Sequence, residues 1–202
     1  MKVSDEDLLS TFLALACREV SGPRVAGILL ARFDGLPETL HASERQVQDL
    51  GKNVFLALDL VRRLIARHLE LLAADAPVSR GCPQLRNMWR ERLGFLPFEA
   101  FEVAYLDASG RLIPAGIKRF ADGTVGRAAV YSRRLIEEAL RISAAGMVLA
   151  HNHTNGDVTP SRQDIALTRS IALSAELLDL SVHDHFIVSR ESFFSFRDNG
   201  LV

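Results

Sequence analysis

The feature that most constrains this chain is a change of hydrophobic period near residue 100. Upstream, the apolar residues recur at helical spacing. Leu8, Leu9, Phe12, Leu13 and Leu15 follow the acidic start Asp5-Glu6-Asp7, and a second run, Val25 to Leu30, follows the break Ser21-Gly22-Pro23. Acidic side chains in a first turn complement the helix dipole. Downstream, Phe101, Val103 and Tyr105 alternate with Glu102 and Ala104, which is the two-residue period of a strand. Helices alone followed by strands mixed with helices predict an all-helical module and then an α/β (α+β) domain.

The punctuation divides the chain further. Residues 1–74 read as the helical module. Asp34-Gly35-Leu36-Pro37 and Gly51-Lys52-Asn53 are turns, Ser43 and Gln46 have capping-box spacing, and a longer helix runs from about Val54 to Leu72. Residues 75–94 read as a linker, because their first part holds Pro77, Gly81 and Pro83 among polar residues. Residues 95–202 form the second domain. Its strand at Phe101 ends at Asp107-Ala108-Ser109-Gly110, and Leu112–Phe120 is the hairpin partner. Arg133–Ile142 and Ser161–Leu178 are helices, Met147–Ala150 is a short buried strand, and Ser181–Val188 is another strand.

Composition removes several classes. With 48% hydrophobic and 24% charged residues, intrinsic disorder is excluded as the main content. A net charge of −1, with neither half basic, argues against strong non-specific DNA binding. No apolar run approaches the roughly 20 residues of a membrane span. Acidic residues arrive at once where a secretory signal would be apolar, so a cytoplasmic location is expected. Cys17 and Cys82 stand alone and form neither a CxxC cluster nor a disulfide framework. Cys17, in an apolar run, is a core residue.

One stretch carries chemistry: His151-Asn152-His153, then Gly156-Asp157, Thr159-Pro160, Ser161 and Asp164. In extended backbone, residues i and i+2 face the same way, so two imidazoles can approach one ion. Asp164 falls in the first turn of the following helix, where its carboxylate can point back at that ion. Two nitrogens and one oxygen leave a fourth tetrahedral position for water, the arrangement of catalytic zinc. Ser161 is either the helix cap or a donor to a developing oxyanion. Glu99, at the start of the Phe101 strand and on the same face, is the candidate base; the alternative is a solvated strand-end carboxylate. His183 and His185 form a second His-x-His, read as structural because no third ligand follows at suitable spacing. Asp184 or His185 could hydrogen-bond a metal ligand. Trp89 reads as a packing anchor.

The spacing His-x-His, seven residues, Ser, two residues, Asp resembles the signature of the JAMM/MPN metalloprotease superfamily. The words His151-Asn152-His153, Gly156-Asp157 and Thr159-Pro160-Ser161 are similar to the RadC branch, the UPF0758 group. The strand from Glu99 to Asp107, Gly123-Thr124-Val125, Asp184 to Val188, Ser195-Phe196 and Gly200-Leu201 extend the likeness. It implies an MPN/JAMM-type mixed sheet flanked by helices. It also implies one Zn2+ per chain held by His151, His153 and Asp164, with Glu99 activating water and Ser161 assisting the oxyanion. The implied reaction is hydrolysis of a peptide or isopeptide bond in a protein or peptide substrate. Residues 4–72 resemble the helix-hairpin-helix-like module of the same family, which implies DNA contact at Gly51, Lys52 and Asn53, and the branch takes its name from DNA repair. Two departures stand out: Thr154-Asn155 replaces the family's Pro-Ser, and Arg134 replaces an acidic residue. A DNA-binding or DNA-cleaving repair factor, and a binding module with a structural or lost metal, are the competing classes.

Overall fold

The computed structural model describes residues 3–75, 77–78, 83–122 and 128–202, without the side chains of 122 and 128–131. The Gly123-Thr124-Val125 word and Cys82 lie outside the described residues. The chain divides into two compact units, Met1–Arg67 and His68–Val202.

The first unit is helical: α1 (Asp5–Ala16), α2 (Gly22–Phe33), α3 (Leu36–Leu40), α4 (Glu44–Val47), a 3-10 turn (Gln48–Leu50) and the first turns of α5 (Lys52–Ala74). Ser4 caps α1 by accepting from the Asp7 amide. Ser43 and Gln46 close the capping box on α4. Leu9, Leu13, Val25, Ala26, Leu29, Val47, Val54 and Leu58 form the core, and Cys17 is buried with them. Gly22 permits the closest packing of α1 on α2, because a Cβ there would run into the Ser10 carbonyl oxygen.

The second unit is a five-stranded mixed sheet flanked by helices. Its elements are α6 (Pro83–Leu93), β1 (Ala100–Leu106), β2 (Leu112–Asp122), α7 (Ala128–Arg141), β3 (Gly146–Asn152), α8 (Arg162–Glu176), β4 (Ser181–Val188) and β5 (Phe193–Ser195). The strand order is β2-β1-β3-β4-β5. β3 and β4 are parallel and joined by α8, whereas the other pairs are antiparallel. Both faces of the sheet are covered. On one face Leu85, Met88, Trp89 and Leu93 of α6 pack on Ala104, Val148, Ala150 and Phe186. On the other, Leu135 and Ala139 of α7 and Leu167 and Ile171 of α8 pack on Phe101, Val103, Tyr105 and Leu149. Double coverage explains why every residue of β1 and β3 is buried.

Residues 75–94, expected from composition to be a linker, contain α6. Pro83, which resembles loop punctuation in the sequence, is the first helical residue, where a missing N–H costs nothing. Trp89 is fully buried, as expected of a packing anchor, and its Nε1 donates to Glu102. The division between the units falls inside α5, at Arg67/His68. Among the described residues no helix is long and apolar enough to cross a membrane.

Candidate metal centre

The crossover β3–α8–β4 builds the site. β3 runs two residues further than its apolar core, so His151 and Asn152 belong to the strand and His153 follows it. The β1–β3 pairing sets Phe101 opposite His151, and the two rings stack with centroids 6.2 Å apart. A short loop then turns the chain. Gly156 takes φ +83°, and the Asp157 side chain accepts from the Thr159 amide at 2.9 Å. Ser161 caps α8 in a reciprocal box with Asp164. The Asp164 amide donates to Ser161 Oγ at 3.1 Å, and the Ser161 amide donates to Asp164 Oδ2 at 2.8 Å. The cap aims the Asp164 carboxylate back towards the end of β3.

There it meets both histidines. His151 Nε2 lies 3.3 Å from Asp164 Oδ1, and His153 Nε2 lies 3.4 Å from Asp164 Oδ2. The two Nε2 atoms are 3.1 Å apart. His151 is fully buried and Asp164 nearly so. Among the described residues these three form a group whose ligand atoms lie within 4.8 Å of one another.

The hydrogen-bond order assigns the ring protons. His153 Nδ1 is 2.6 Å from the Asp157 carbonyl, which can only accept, so Nδ1 carries the proton and Nε2 presents a lone pair. For His151 the assignment runs through a chain. Thr168 Oγ1 donates to the Asp164 carbonyl at 2.6 Å and has no second proton. It therefore accepts from His185 Nδ1, also at 2.6 Å. His185 Nε2 then accepts from His151 Nδ1 at 2.8 Å. His151 Nε2 is left as a lone pair. With both rings neutral, three acceptors thus converge with no donor among them, which is the donor set of a cation site.

Without a cation, a proton on the imidazoles takes its place beside Asp164. Burial raises the Asp164 pKa, but hydrogen bonds from His151 and His153 outweigh it and hold the carboxyl far below its usual range. The His153 pKa is raised, chiefly by its hydrogen bond to Asp164 and against the opposing effect of burial; the Glu99 charge adds to the rise. Burial holds the His185 pKa well below the usual imidazole value, so this ring is neutral and acts only as a hydrogen-bond bridge.

The other expected residues fall out as follows. Glu99 stands half-buried immediately before β1, close enough to His153 for its charge to be felt. Ser161 is exposed, and its hydroxyl also donates to Asp164 Oδ2 at 2.6 Å, so the capping arrangement is present. His185 touches His151, whereas Asp184 touches none of the three clustered residues. Asp184 instead accepts from the Ser195 hydroxyl and the Arg197 amide on the way to the C-terminus. His183 lies against Gly146, away from the cluster. Gly51, with φ +135°, and the exposed Lys52 and Asn53 open α5 in the first unit. Thr168 was missed. Its signal is the four-residue spacing from Asp164, one helical turn on the same face.

A groove of about 470 Å³ adjoins His153, walled by Phe95, Pro97, Thr154, Asn155, Arg190 and Ser192. The Asn155 departure from the family pattern therefore lies beside the site rather than among its ligands. Arg134 has no part in the cluster.

Residues 80–201 match the family described as RadC-like JAB domain. A UPF0758 protein of Leptothrix cholodnii is 36% identical, over 99% of this chain and 90% of its own length. Similar proteins occur in Aromatoleum aromaticum, at 38% identity over the same shares, and in Marinomonas, at 34%. The chain belongs to the RadC-like JAB-domain family, the UPF0758 proteins of the JAMM/MPN superfamily.

Proposed function

We propose that this chain is a zinc-dependent hydrolase of amide bonds in a peptide or protein substrate. The observation that carries the reading is the meeting of His151 Nε2, His153 Nε2 and the Asp164 carboxylate as three acceptors, with Glu99 close by. These three residues would hold one Zn2+, as borderline-soft nitrogen and oxygen ligands do. When bound, zinc supplies a Lewis acid and an acidified water.

The chain's own residues do the rest. Glu99 takes a proton from the attacking water and returns it to the leaving nitrogen, so that one carboxylate serves as base and then as acid. Ser161 stands exposed at the N-terminus of α8, where the helix dipole favours negative charge, and its hydroxyl turns from Asp164 Oδ2 to the developing oxyanion. Asp164 stays ionised throughout, held so by its imidazole neighbours. Phe101 and Phe196 pack against His151 and His185 and keep bulk water from the buried side of the ligands. The groove beside His153 receives the substrate chain.

The test is the zinc content of protein purified without chelator. The expected result is about one zinc per wild-type chain and almost none in His153→Ala. A wild-type chain that stays free of zinc after metal-replete expression would overturn the reading.

A further inference from the structure

Asn152 lies between the two metal-facing histidines, and its side chain points to the opposite side of β3. It is buried, with only 1% of its surface exposed. The carboxamide is spent on one short segment. Its Oδ1 accepts from the Ala100 amide at 2.7 Å, and its Nδ2 donates to the Phe98 carbonyl at 3.0 Å. Glu99 is the residue between those two peptide groups.

The reason for this arrangement is the end of a ladder. The β1–β3 pairing stops at Phe101↔His151. One residue further the two chains part, since β3 goes on pairing with β4 through Asn152↔Val188 while Ala100 keeps only its β2 partner, Asp122. A main-chain partner for Ala100 N–H is missing at that point. A carboxamide carries an acceptor and a donor in one plane, as a peptide group does. The Asn152 side chain therefore supplies the next rung and binds both neighbours of Glu99.

We infer that Asn152 is a positioning residue for Glu99, fixing the backbone on both sides of the glutamate to the strand that carries the metal ligands. The inference rests on the metal-hydrolase reading above. Anchored at Phe98 and Ala100, the Glu99 backbone cannot swing, and its carboxylate keeps its distance from His153. Because Asn152 stands between His151 and His153, base and ligands share a single rigid frame. Aspartate at 152 could accept but not donate, and alanine could do neither, so the two hydrogen bonds specify asparagine.

Two measurements test this. The first is hydrogen exchange of the folded wild-type protein. The Ala100 amide is expected to be protected like the ladder amides of β1; exchange as fast as a free loop amide would overturn the inference with no variant needed. The second uses cobalt(II) as the metal probe and follows its visible spectrum against pH in wild type, Glu99→Gln, Asn152→Ala and the double variant. All four are expected to bind one cobalt per chain. Glu99→Gln should shift the midpoint of the spectral transition, Asn152→Ala should reproduce most of that shift, and the double variant should match Glu99→Gln alone. A shift in Glu99→Gln with an unmoved Asn152→Ala, or shifts that add in the double variant, would overturn the clamp and leave the metal reading standing. A wild-type chain that takes up no cobalt would overturn both.

Discussion

His151 Nδ1 lies 2.8 Å from His185 Nε2, so a ring of the His151–His153–Asp164 cluster on β3 rests on a fully buried neutral ring on β4. The second ring is itself fixed by Thr168 of α8, whose hydroxyl returns to the main chain of Asp164. The circuit joins His151 and Asp164 through three elements. It sets which nitrogen of His151 offers its lone pair.

His185→Phe keeps the ring volume and removes the acceptor. Metal affinity is expected to fall about 10- to 100-fold, the usual cost of losing a ligand's outer partner. Thr168→Val should weaken binding in the same direction by releasing the His185 tautomer. Competition against a chelating dye measures both; affinities equal to wild type would remove His185 and Thr168 from the site.

Asp164 does two jobs, and two substitutions separate them. Asp164→Asn keeps an acceptor for the Ser161 amide and loses the charge, so the variant should lose metal while the metal-free protein melts close to wild type. Asp164→Ala loses both, and should cost about 1 kcal/mol more through the broken cap. Metal content and thermal melting distinguish the two cases.

Metal uptake should release a proton. The His153 pKa is raised above its ordinary value, chiefly by Asp164, so in the metal-free protein the ring holds a proton to higher pH than a free imidazole does. Binding needs the neutral ring, so affinity should rise with pH until the raised His153 value is passed and then level off. Calorimetry in buffers of different ionisation enthalpy reads the released proton. Heats independent of buffer at neutral pH would contradict this assignment.

Glu99→Gln should leave the metal bound and cut turnover of a peptide substrate by about 10²- to 10⁴-fold, the range for loss of a positioned general base. Turnover at the wild-type level would end its assignment as the base. Parallel assays on DNA, with the same variant, show whether the substrate is a peptide at all.

On the opposite face of β1, Glu102 is fully buried with Arg92, Arg119 and the Trp89 indole N–H. Arg92 makes a two-pronged contact, its Nε to one carboxylate oxygen at 2.9 Å and its Nη2 to the other at 3.0 Å. Glu102→Ala removes the acceptor shared by two partly exposed guanidinium groups and a buried indole N–H, and should destabilise the protein by about 2 kcal/mol in denaturant unfolding, with metal binding unchanged. A loss below about 1 kcal/mol would show that the arginines simply turn to water.

Much of the second domain was legible because its signals are local. The alternation Phe101-Val103-Tyr105 marked β1, and the i, i+2 rule put both histidines on one side. The step Ser161 to Asp164 marked the start of α8, and its capping geometry is what turns the carboxylate towards the ligands. α6 was not legible, since Pro83 and its polar neighbours read as a turn while the burial of Leu85, Met88 and Trp89 depends on a sheet far along the chain. β5, of three residues, carries too little pattern to be seen without β4 beside it.

By itself the sequence determined the His151, His153 and Asp164 set, its spacing and the helix cap, because each depends on residues a few positions apart. Only the tertiary structure decided which groups stand behind them. His185 comes 34 residues after His151, and Asn152 reaches a segment more than 50 residues earlier. The hydrogen bonds that fix the tautomer of His151 and the backbone of Glu99 exist because β1, β3 and β4 lie side by side. That adjacency is set by burial of the whole sheet between two helical layers, and no local spacing encodes it.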